Sequence, residues 1–488
     1  MVLRRGFRVA LGVWVMVSLS LFPRLLAAQR IDIASLAGTD WYGLYLNGEK
    51  AGFSQNTLTV ESDGAMSLVE NAEFRISMAG ARQDMQIYSK RMYDPDGGLR
   101  SIEYRVVDPA GPKAFQATVV GGELLLKSDI AGTSSEKRLP KPKESLADAL
   151  KQVQLVGKNA KVGDELAFSV FEPMYEKELE GTSRIDAIEE RVLDGVPTRV
   201  FRILSELPAM GINSCSSVTE DGTILEDVIG GIITMRIEPE AMAKDVNYSN
   251  DVIVSNAALV DTPVRNPRTR DTLRLRIEGP LTPEHLFSDE RQTMRIVKDH
   301  VEFIGRLVSV HGITAAQIPI TEPSVLAWVK PSMYIQSDDP KLVEKAREIV
   351  GDAKDAREIS NRLCAWVHDN VRTAFSAQLT NALDVLERLE GDCTEYSTLF
   401  IGLARAAGLP AREVAGLIYM EGAQPGFYFH QWAKVWVGKW IDVDPTFNEV
   451  LADATHIKLA EGDLFEQARL IPVIGRIRVQ VMDNEDGS

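Results

Sequence analysis

Residues 391–397 read Gly-Asp-Cys-Thr-Glu-Tyr-Ser, residues 430–432 read His-Gln-Trp, and residues 440–446 read Trp-Ile-Asp-Val-Asp-Pro-Thr. Asp392 and Glu395 have the spacing of a capping box, so Cys393 is predicted to be the first residue of a helix. The backbone N–H groups and the positive dipole at a helix N-terminus favour a thiolate there. The order cysteine, histidine, aspartate is therefore that of a thiol nucleophile, its base and the residue that orients the base.

Three side chains in this stretch are candidate catalytic residues. Cys393 would attack an acyl group, and His430 would accept the thiol proton and later return it to the leaving group. Asp444 would hold the His430 imidazole in the required tautomer. Asp442 is a rival for this last role, because it lies two residues earlier on the same face of the same strand.

The hairpin that joins His430 to Asp444 tests this assignment. A two-residue loop at 438–439, which local turn rules favour, would turn the two side chains to opposite faces of the sheet. A three-residue loop at 437–439, or one β-bulge, would bring them to the same face. We therefore predict one of these two irregularities, with an Asp444 carboxylate oxygen within hydrogen-bond reach of the His430 ring.

The composition limits the class of protein. A length of 488 residues is typical of about three domains, and 45% hydrophobic with 25% charged residues is typical of a globular protein. The formal net charge of −16 argues against a nucleic-acid partner, because phosphate binding needs a basic face. Three cysteines, Cys215, Cys364 and Cys393, are too few for a disulfide framework, and an odd number indicates a free thiol.

The N-terminus has the pattern of an export signal. Arg4, Arg5 and Arg8 precede a short apolar run over residues 9–22, and Ala27-Ala28 offers small residues for cleavage. The run is too short for a comfortable membrane span. We expect residues 1–28 to be removed and the mature protein to be periplasmic or secreted.

The apolar pattern changes near residue 340. Residues 30–150 and 151–335 alternate as strands between turn sequences such as Asn47-Gly48, and they predict two β-rich domains with antiparallel sheets. Residues 340–475 begin with helical stripes and end with strands, which predicts an α+β domain that holds the candidate residues. Residues 476–488 are predicted to be an acidic tail. We expect a domain boundary between Ser337 and Leu342.

These motifs, together with Ala-Ala-Gly-Leu-Pro-Ala-Arg at 406–412, resemble the transglutaminase-like core of the papain-like superfamily, in its bacterial exported type. The resemblance covers about residues 340–460. It implies a papain-like α+β fold with Cys393, His430 and Asp444 as a catalytic triad. It does not assign the side chain that helps the oxyanion in animal transglutaminases, for which Trp366 and Gln378 are candidates.

The resemblance implies an exported cysteine enzyme that acts on amide or peptide bonds of a protein or peptide through a thioester. Hydrolysis is the first expectation, and transfer to an amine is the alternative. A rival from another class is a non-catalytic binding protein whose β-rich region docks a cell-envelope partner. We expect no cofactor, and we expect no metal because no pair of histidines has metal-ligand spacing.

Overall fold

The computed structural model describes residues 36–78, 81–108, 111–193, 195–246, 256–309, 314–374 and 380–482. The expected signal at 1–28 and residues 483–488 of the expected tail lie outside these ranges. The chain divides into two compact units. The first unit includes Ala81–Asn250 and the strands that precede residue 78, and the second unit includes Asp251–Ser488. Within the described ranges, no helix combines the length and the apolar character that crossing a membrane requires.

The first unit is built on one sheet of fourteen strands in the order β8-β7-β6-β5-β4-β3-β2-β1-β14-β13-β12-β11-β10-β9. The strands are β1 Gly38–Leu46, β2 Glu49–Val60, β3 Met66–Met78, β4 Ala81–Tyr93, β5 Leu99–Asp108, β6 Gly111–Val120, β7 Glu123–Ile130, β8 Thr133–Pro140, β9 Glu165–Glu172, β10 Lys177–Leu193, β11 Val196–Leu207, β12 Ile212–Thr219, β13 Ile224–Ile229 and β14 Ile233–Ile237. The described residues of this unit also form the short helices α1 Leu146–Ala149, α2 Lys151–Gln154 and α3 Glu240–Ala243.

Local sequence explains the strands and turns of this sheet. In β7, Leu124, Leu126 and Ile130 are buried and alternate with more exposed neighbours, as the period of two requires. Asn47 and Gly48, between β1 and β2, both have positive φ, which is the conformation that the Asn-Gly hairpin signal predicts.

The expected division of this region at residue 150 does not separate two sheets. Strand β1 pairs with β14, with Tyr42 opposite Ile237, so strands from both sides of residue 150 share one sheet. Turn signals indicate which neighbouring strands form hairpins, but they carry no information about pairing between strands that lie about 190 residues apart. This is why two domains were expected where one sheet is found.

The described residues of the second unit form helices and three small sheets. Its helices are α4 Pro340–Val350, α5 Ala356–Asn370, α6 Ala382–Arg388, α7 Cys393–Ala406 and α8 Leu464–Gln467. Its strands are β15 Ala258–Leu259, β16 Thr272–Glu278, β17 Gln292–Val297, β18 His300–Arg306, β19 Arg372–Thr373, β20 Glu390–Gly391, β21 Ala411–Met420, β22 Gly426–Trp436, β23 Trp440–Val443, β24 Ile457–Glu461 and β25 Arg478–Val481. The sheets have the orders β15-β22-β21-β24 with β23 on β22, β17-β18-β16-β25, and β19-β20.

The expected boundary between Ser337 and Leu342 is wrong. Strand β15 pairs with β22, and β16 pairs with β25, so strands from both sides of residue 340 share sheets. The second pairing also makes residues 478–481 a strand, whereas they were expected to belong to an acidic tail. An alternating pattern identifies a strand without identifying its partner, and here the partners are distant in sequence.

Helices α4, α5 and α6 pack around the cysteine helix α7, which itself packs against β22. The predicted apolar face of the cysteine helix α7 is fully buried at Leu399, Phe400 and Leu403. The hairpin contributes Ala433 and Val435, which alternate with the side chains of the opposite face. This packing fixes the helix and the hairpin that carry the candidate residues.

Replacing Arg291 by alanine should destabilise the second unit by roughly 3–5 kcal/mol, because it removes the nearest cation from the buried Asp442 carboxylate. The buried Arg291 donates from Nε to Asp442 Oδ2 at 3.0 Å and from Nη1 to the carbonyl of His456 at 2.5 Å. The matched control is Arg295→Ala, since the Arg295 side chain is exposed and forms a surface ion pair with Glu302. Thermal denaturation would contradict the expectation if both variants melted at the same temperature.

Candidate active site

The candidate nucleophile lies where the capping signal placed it. Cys393 is the first residue of α7 and is 2% exposed. Asp392 caps the helix by accepting from the Thr394 backbone N–H at 3.0 Å, and Glu395 accepts from the Asp392 N–H at 2.8 Å. The predicted capping box is therefore present, and it makes Cys393 the first residue of the helix.

The same helix is fixed to the strand of the candidate base. One turn after Cys393, the Ser397 hydroxyl donates to the backbone carbonyl of Gln431 at 3.0 Å. Gln431 is the neighbour of His430 in β22. This bond sets the N-terminal turn of α7 beside the part of β22 that carries the histidine.

The hairpin has the first of the two predicted irregularities, a three-residue loop. Trp436 pairs with Trp440, which leaves residues 437–439 as the loop, and the register continues without a shift to Ala433 and Val443. His430 and Asp444 consequently lie on one face, and His430 Nε2 is 2.7 Å from Asp444 Oδ2. Both side chains are fully buried. The structure thus brings together the histidine and the aspartate that the sequence singled out.

The rival carboxylate serves other partners. Asp442 Oδ2 accepts from Arg291 Nε at 3.0 Å and from the indole N–H of Trp432 at 3.2 Å. Burial by itself would raise the pKa of Asp442, but Lys458, Arg291 and Lys434 together hold it well below its usual value. Asp442 is therefore an ionised anchor within a charge network, and Asp444 is the carboxylate that bonds the His430 ring.

The hydrogen bond determines which nitrogen of His430 is basic. Burial would raise the pKa of Asp444, yet His430 and His456 hold it far below the usual value, so this carboxylate is ionised and accepts from His430 Nε2–H. Burial lowers the pKa of His430, which outweighs the opposite influence of Asp444. A neutral His430 therefore carries its proton on Nε2, and the buried Nδ1 is the nitrogen that can take a proton.

Aromatic rings hold the imidazole of His430 on several sides. Its centroid lies 5.9 Å from the stacked ring of Trp432 and 5.6 Å from the tilted ring of Phe447. The guanidinium of Arg268 lies over the Phe447 ring, 4.9 Å from its centroid. These contacts limit rotation of the imidazole, as a positioned base requires.

A second histidine belongs to this site, and the sequence reasoning, which singled out His430 alone, missed it. His456 Nε2 is 3.1 Å from Asp444 Oδ2, the same oxygen that bonds His430. His456 lies just before β24, whose Lys458 pairs with Gly416, and Gly416 pairs with His430 on its other side. The only sequence signal was its position twelve residues after Asp444, which does not indicate a contact.

Two groups among the described residues have ligand atoms within 4.8 Å of one another, as a metal site would need. The groups are His430, Asp444 and His456, and Glu449, Asp453 and His456. His430 Nε2 and both ring nitrogens of His456 already face carboxylate oxygens at 2.7 to 3.2 Å. A metal would have to displace these hydrogen bonds, so we identify no metal ligand here, and the absence of a metal stays a prediction.

The other two cysteines lie in environments that suppress thiolate formation. Burial raises the pKa of the Cys364 thiol well above its usual value, with Asp444 and Glu449 adding to the effect. Burial also raises the pKa of Cys215. Of the two oxyanion candidates, Gln378 lies outside the described residues, and the Trp366 ring packs under the ammonium of Lys345 at 5.6 Å.

Residues 343–445 match the family model of the transglutaminase-like superfamily core. The matched range contains Cys393, His430 and Asp444. The chain contains a transglutaminase-like core. The resemblance of the core to this superfamily and the α+β fold class with a β-rich N-terminal region, both expected from the sequence, are thereby confirmed, whereas the bacterial exported type stays a prediction. The match supports a relationship to the cysteine enzymes of this superfamily, while Arg268, Arg291 and His456 lie outside the matched range.

A curated relative and several solved structures share features with the chain. An uncharacterized protein, ML0607, from Mycobacterium leprae (strain TN) is 28% identical over 88 residues, which span 17% of this chain and about a third (31%) of that protein. A candidate cysteine protease from Cytophaga hutchinsonii is 17% identical with a TM-score of 0.31, over 45% of this chain and 89% of its own. A β-barrel-like protein of a domain of unknown function, DUF1849, from Brucella abortus is 10% identical with a TM-score of 0.32, over 41% and 95% of the two chains.

Proposed function

We propose that the chain is an exported cysteine enzyme that cleaves amide or peptide bonds through a thioester on Cys393. The observation that carries the proposal is the bond of 2.7 Å between His430 Nε2 and Asp444 Oδ2, on a strand fixed to the cysteine helix. A buried histidine with one nitrogen oriented by an ionised carboxylate has the arrangement of a general base. The transglutaminase-like match supports the same chemistry.

The proposed reaction proceeds in two acyl transfers. His430 Nδ1 takes the proton of the Cys393 thiol, and the thiolate attacks the carbonyl carbon of the amide. The tetrahedral oxyanion is stabilised by the backbone N–H of Cys393 at the start of α7. The C–N bond then breaks as His430 returns its proton to the leaving amine, which leaves a thioester on Cys393.

In the second step, His430 removes a proton from water, which attacks the thioester. The carboxylic acid product leaves as the Cys393 sulfur regains a proton. Hydrolysis is the proposed outcome, and an amine that replaced the water would give cross-linking instead. The substrate class proposed is a protein or peptide, and the cleavable N-terminal segment expected at 1–28 supports a site of action outside the cytoplasm.

The alternative of a non-catalytic binding protein is less consistent with the site. Burying the Asp444 carboxylate and two imidazoles costs folding free energy unless every group is paired. A scaffold without catalytic activity would be equally stable with apolar residues at these positions. The arrangement is instead the one that orients a base. A role of the β-rich region in docking an envelope partner is compatible with the proposed enzyme.

Brief alkylation with iodoacetamide at neutral pH should modify Cys393 first. Its place at a capped helix N-terminus favours the thiolate, whereas burial raises the thiol pKa of Cys364 and of Cys215. Peptide mapping by mass spectrometry measures the order. Earlier modification of either other cysteine would show that the nucleophile is assigned incorrectly.

Two parallel assays would then separate the possible activities. Release of new amino termini from a denatured protein substrate reports hydrolysis, and incorporation of a fluorescent primary amine into the same substrate reports transfer. We expect the first signal to dominate. Amine incorporation that dominated at equal enzyme concentration would make the chain a cross-linker, and the absence of both signals with a reactive Cys393 would favour the binding protein.

A further inference from the structure

His456 is enclosed by carboxylates on both edges of its ring. The side chain is fully buried, with Nε2 at 3.1 Å from Asp444 Oδ2 and Nδ1 at 3.2 Å from Asp453 Oδ1. Asp453 in turn accepts from Arg268 Nη1 at 2.7 Å through its other oxygen. Arg268, Asp453, His456 and Asp444 therefore form a continuous chain of hydrogen-bonded groups that ends at the His430 ring.

The donors and acceptors determine the protonation of His456. An ionised carboxylate offers acceptors only, so a ring nitrogen that bonds one must carry a proton. This holds for Nε2, which faces Asp444, and for Nδ1, which faces Asp453. Asp453 is itself ionised, since its Oδ1 also accepts from the backbone N–H and the hydroxyl of Thr455, at 2.6 and 2.7 Å. His456 is consequently an imidazolium, whereas His430 is neutral.

The electrostatics of the surroundings agree with this difference. Burial would lower the pKa of His456, but Asp453, Asp444 and Glu449 together raise it to about 9. The nearest carboxylate oxygen of Glu449 lies 4.0 Å from His456 Nδ1. The charged groups that act on His430 are Asp444, which raises its pKa, and His456 and Arg268, which lower it.

The backbone is adapted to bring His456 to this place. Gly416 in β21 lies between His430 of β22 and Lys458 of β24. A Cβ atom on Gly416 would lie 1.9 Å from the carbonyl oxygen of Ile457, so only glycine permits this approach of β24. The approach sets the segment before β24, which contains His456, against the Asp444 side chain.

We propose that His456 is a positioning residue: a fixed imidazolium that holds the Asp444 carboxylate in line with His430 Nε2 and keeps His430 neutral, and therefore able to act as a base, in the resting enzyme. The Asp444 carboxylate then receives three hydrogen bonds, two at Oδ2 from the histidines and one at Oδ1 from the Thr446 N–H at 2.8 Å. The proposal rests on the proposed function, because it assigns a role relative to the His430 base. It adds a residue outside the matched core range of 343–445.

The test uses the pH dependence of Cys393 alkylation in the full-length protein. In His456→Gln the positive charge is lost, and loss of a nearby positive charge raises the pKa of both His430 and the Cys393 thiol. The acidic limb is the pH range over which the alkylation rate rises from its low value in acid. We expect it to move to higher pH by about one unit, so that alkylation at a given acidic pH is about tenfold slower. The matched control is His285→Gln, since His285 is also buried and bonded at both nitrogens, to Thr282 and to the Arg469 carbonyl.

The control separates positioning from a merely structural role. His285→Gln should lower the melting temperature without moving the acidic limb. A folded His456→Gln protein whose limb coincides with that of the wild-type protein would overturn the proposal.

A second measurement needs no variant and no substrate. In ¹⁵N-histidine-labelled wild-type protein, NMR should show both ring nitrogens of His456 protonated at pH 7.5, while His430 has one protonated nitrogen. A neutral His456 at this pH would overturn the proposal even if His456→Gln failed to fold. Neither the alkylation profile nor the NMR measurement requires turnover. If both gave the expected result and the protein showed no acyl transfer, the proposed function would be contradicted and the role of His456 would stand.

Discussion

A Cys393→Ala variant is expected to lose acyl transfer by a factor on the order of 10⁴ or more, because no covalent intermediate can form without the sulfur. The fold should persist, since the change removes one atom from the first turn of α7 and leaves the capping box of Asp392 and Glu395 intact. The measurement is kcat/KM on whichever substrate the hydrolysis or transfer assay identifies, together with the melting temperature. Both are needed to separate loss of chemistry from loss of structure.

Cys364→Ala is the matched control for this variant. Cys364 is a buried cysteine of the same unit, and its sulfur lies 3.9 Å from the backbone carbonyl of Asp444. Its removal should lower stability modestly and leave the activity of the folded protein unchanged. If activity survived in Cys393→Ala but disappeared in Cys364→Ala, the assignment of Cys393 as the nucleophile would be wrong.

Asp444→Asn should lower kcat/KM by about 10⁴, because the amide can present an N–H group where His430 and His456 both donate. The amide cannot accept hydrogen bonds from both histidines as the carboxylate does. The proton of His430 can then move from Nε2 to Nδ1, which leaves Nδ1 unable to act as the base. The variant should also melt at a lower temperature, since the buried imidazolium of His456 retains only Asp453 as a close carboxylate partner. Kinetics and thermal denaturation measure the two effects separately.

Asp442→Asn provides the comparison on the same hairpin. Asp442 anchors Arg291 and Trp432, so this variant should lose stability as well. Its folded fraction should nevertheless keep acyl transfer within about tenfold of the wild-type rate, because Asp442 does not bond His430. If Asp442→Asn lost activity as completely as Asp444→Asn, the two carboxylates would share the role and the assignment of the orienting residue would have to be revised.

Most of the α+β core could be predicted because its signals are local. The capping box of Asp392 and Glu395, the buried stripe of α7 and the strands of the hairpin depend on residues within a few positions of one another. The loop at 437–439 was one of two irregularities, the other being a β-bulge, that the alternation of side chains allowed once His430 and Asp444 were required to share a face. Such features are fixed by backbone geometry and hydrogen bonding over short distances.

The sequence by itself determined the family of the core, the α+β class, the cysteine helix and the candidates Cys393, His430 and Asp444. Only the tertiary structure decided that β1 pairs with β14, that β16 pairs with β25, and that His456 donates to Asp444. Strand alternation and residue type describe what a segment can bury or bond, but they do not select its partner. Pairing across tens to hundreds of residues depends on how all segments pack together, which no local pattern encodes.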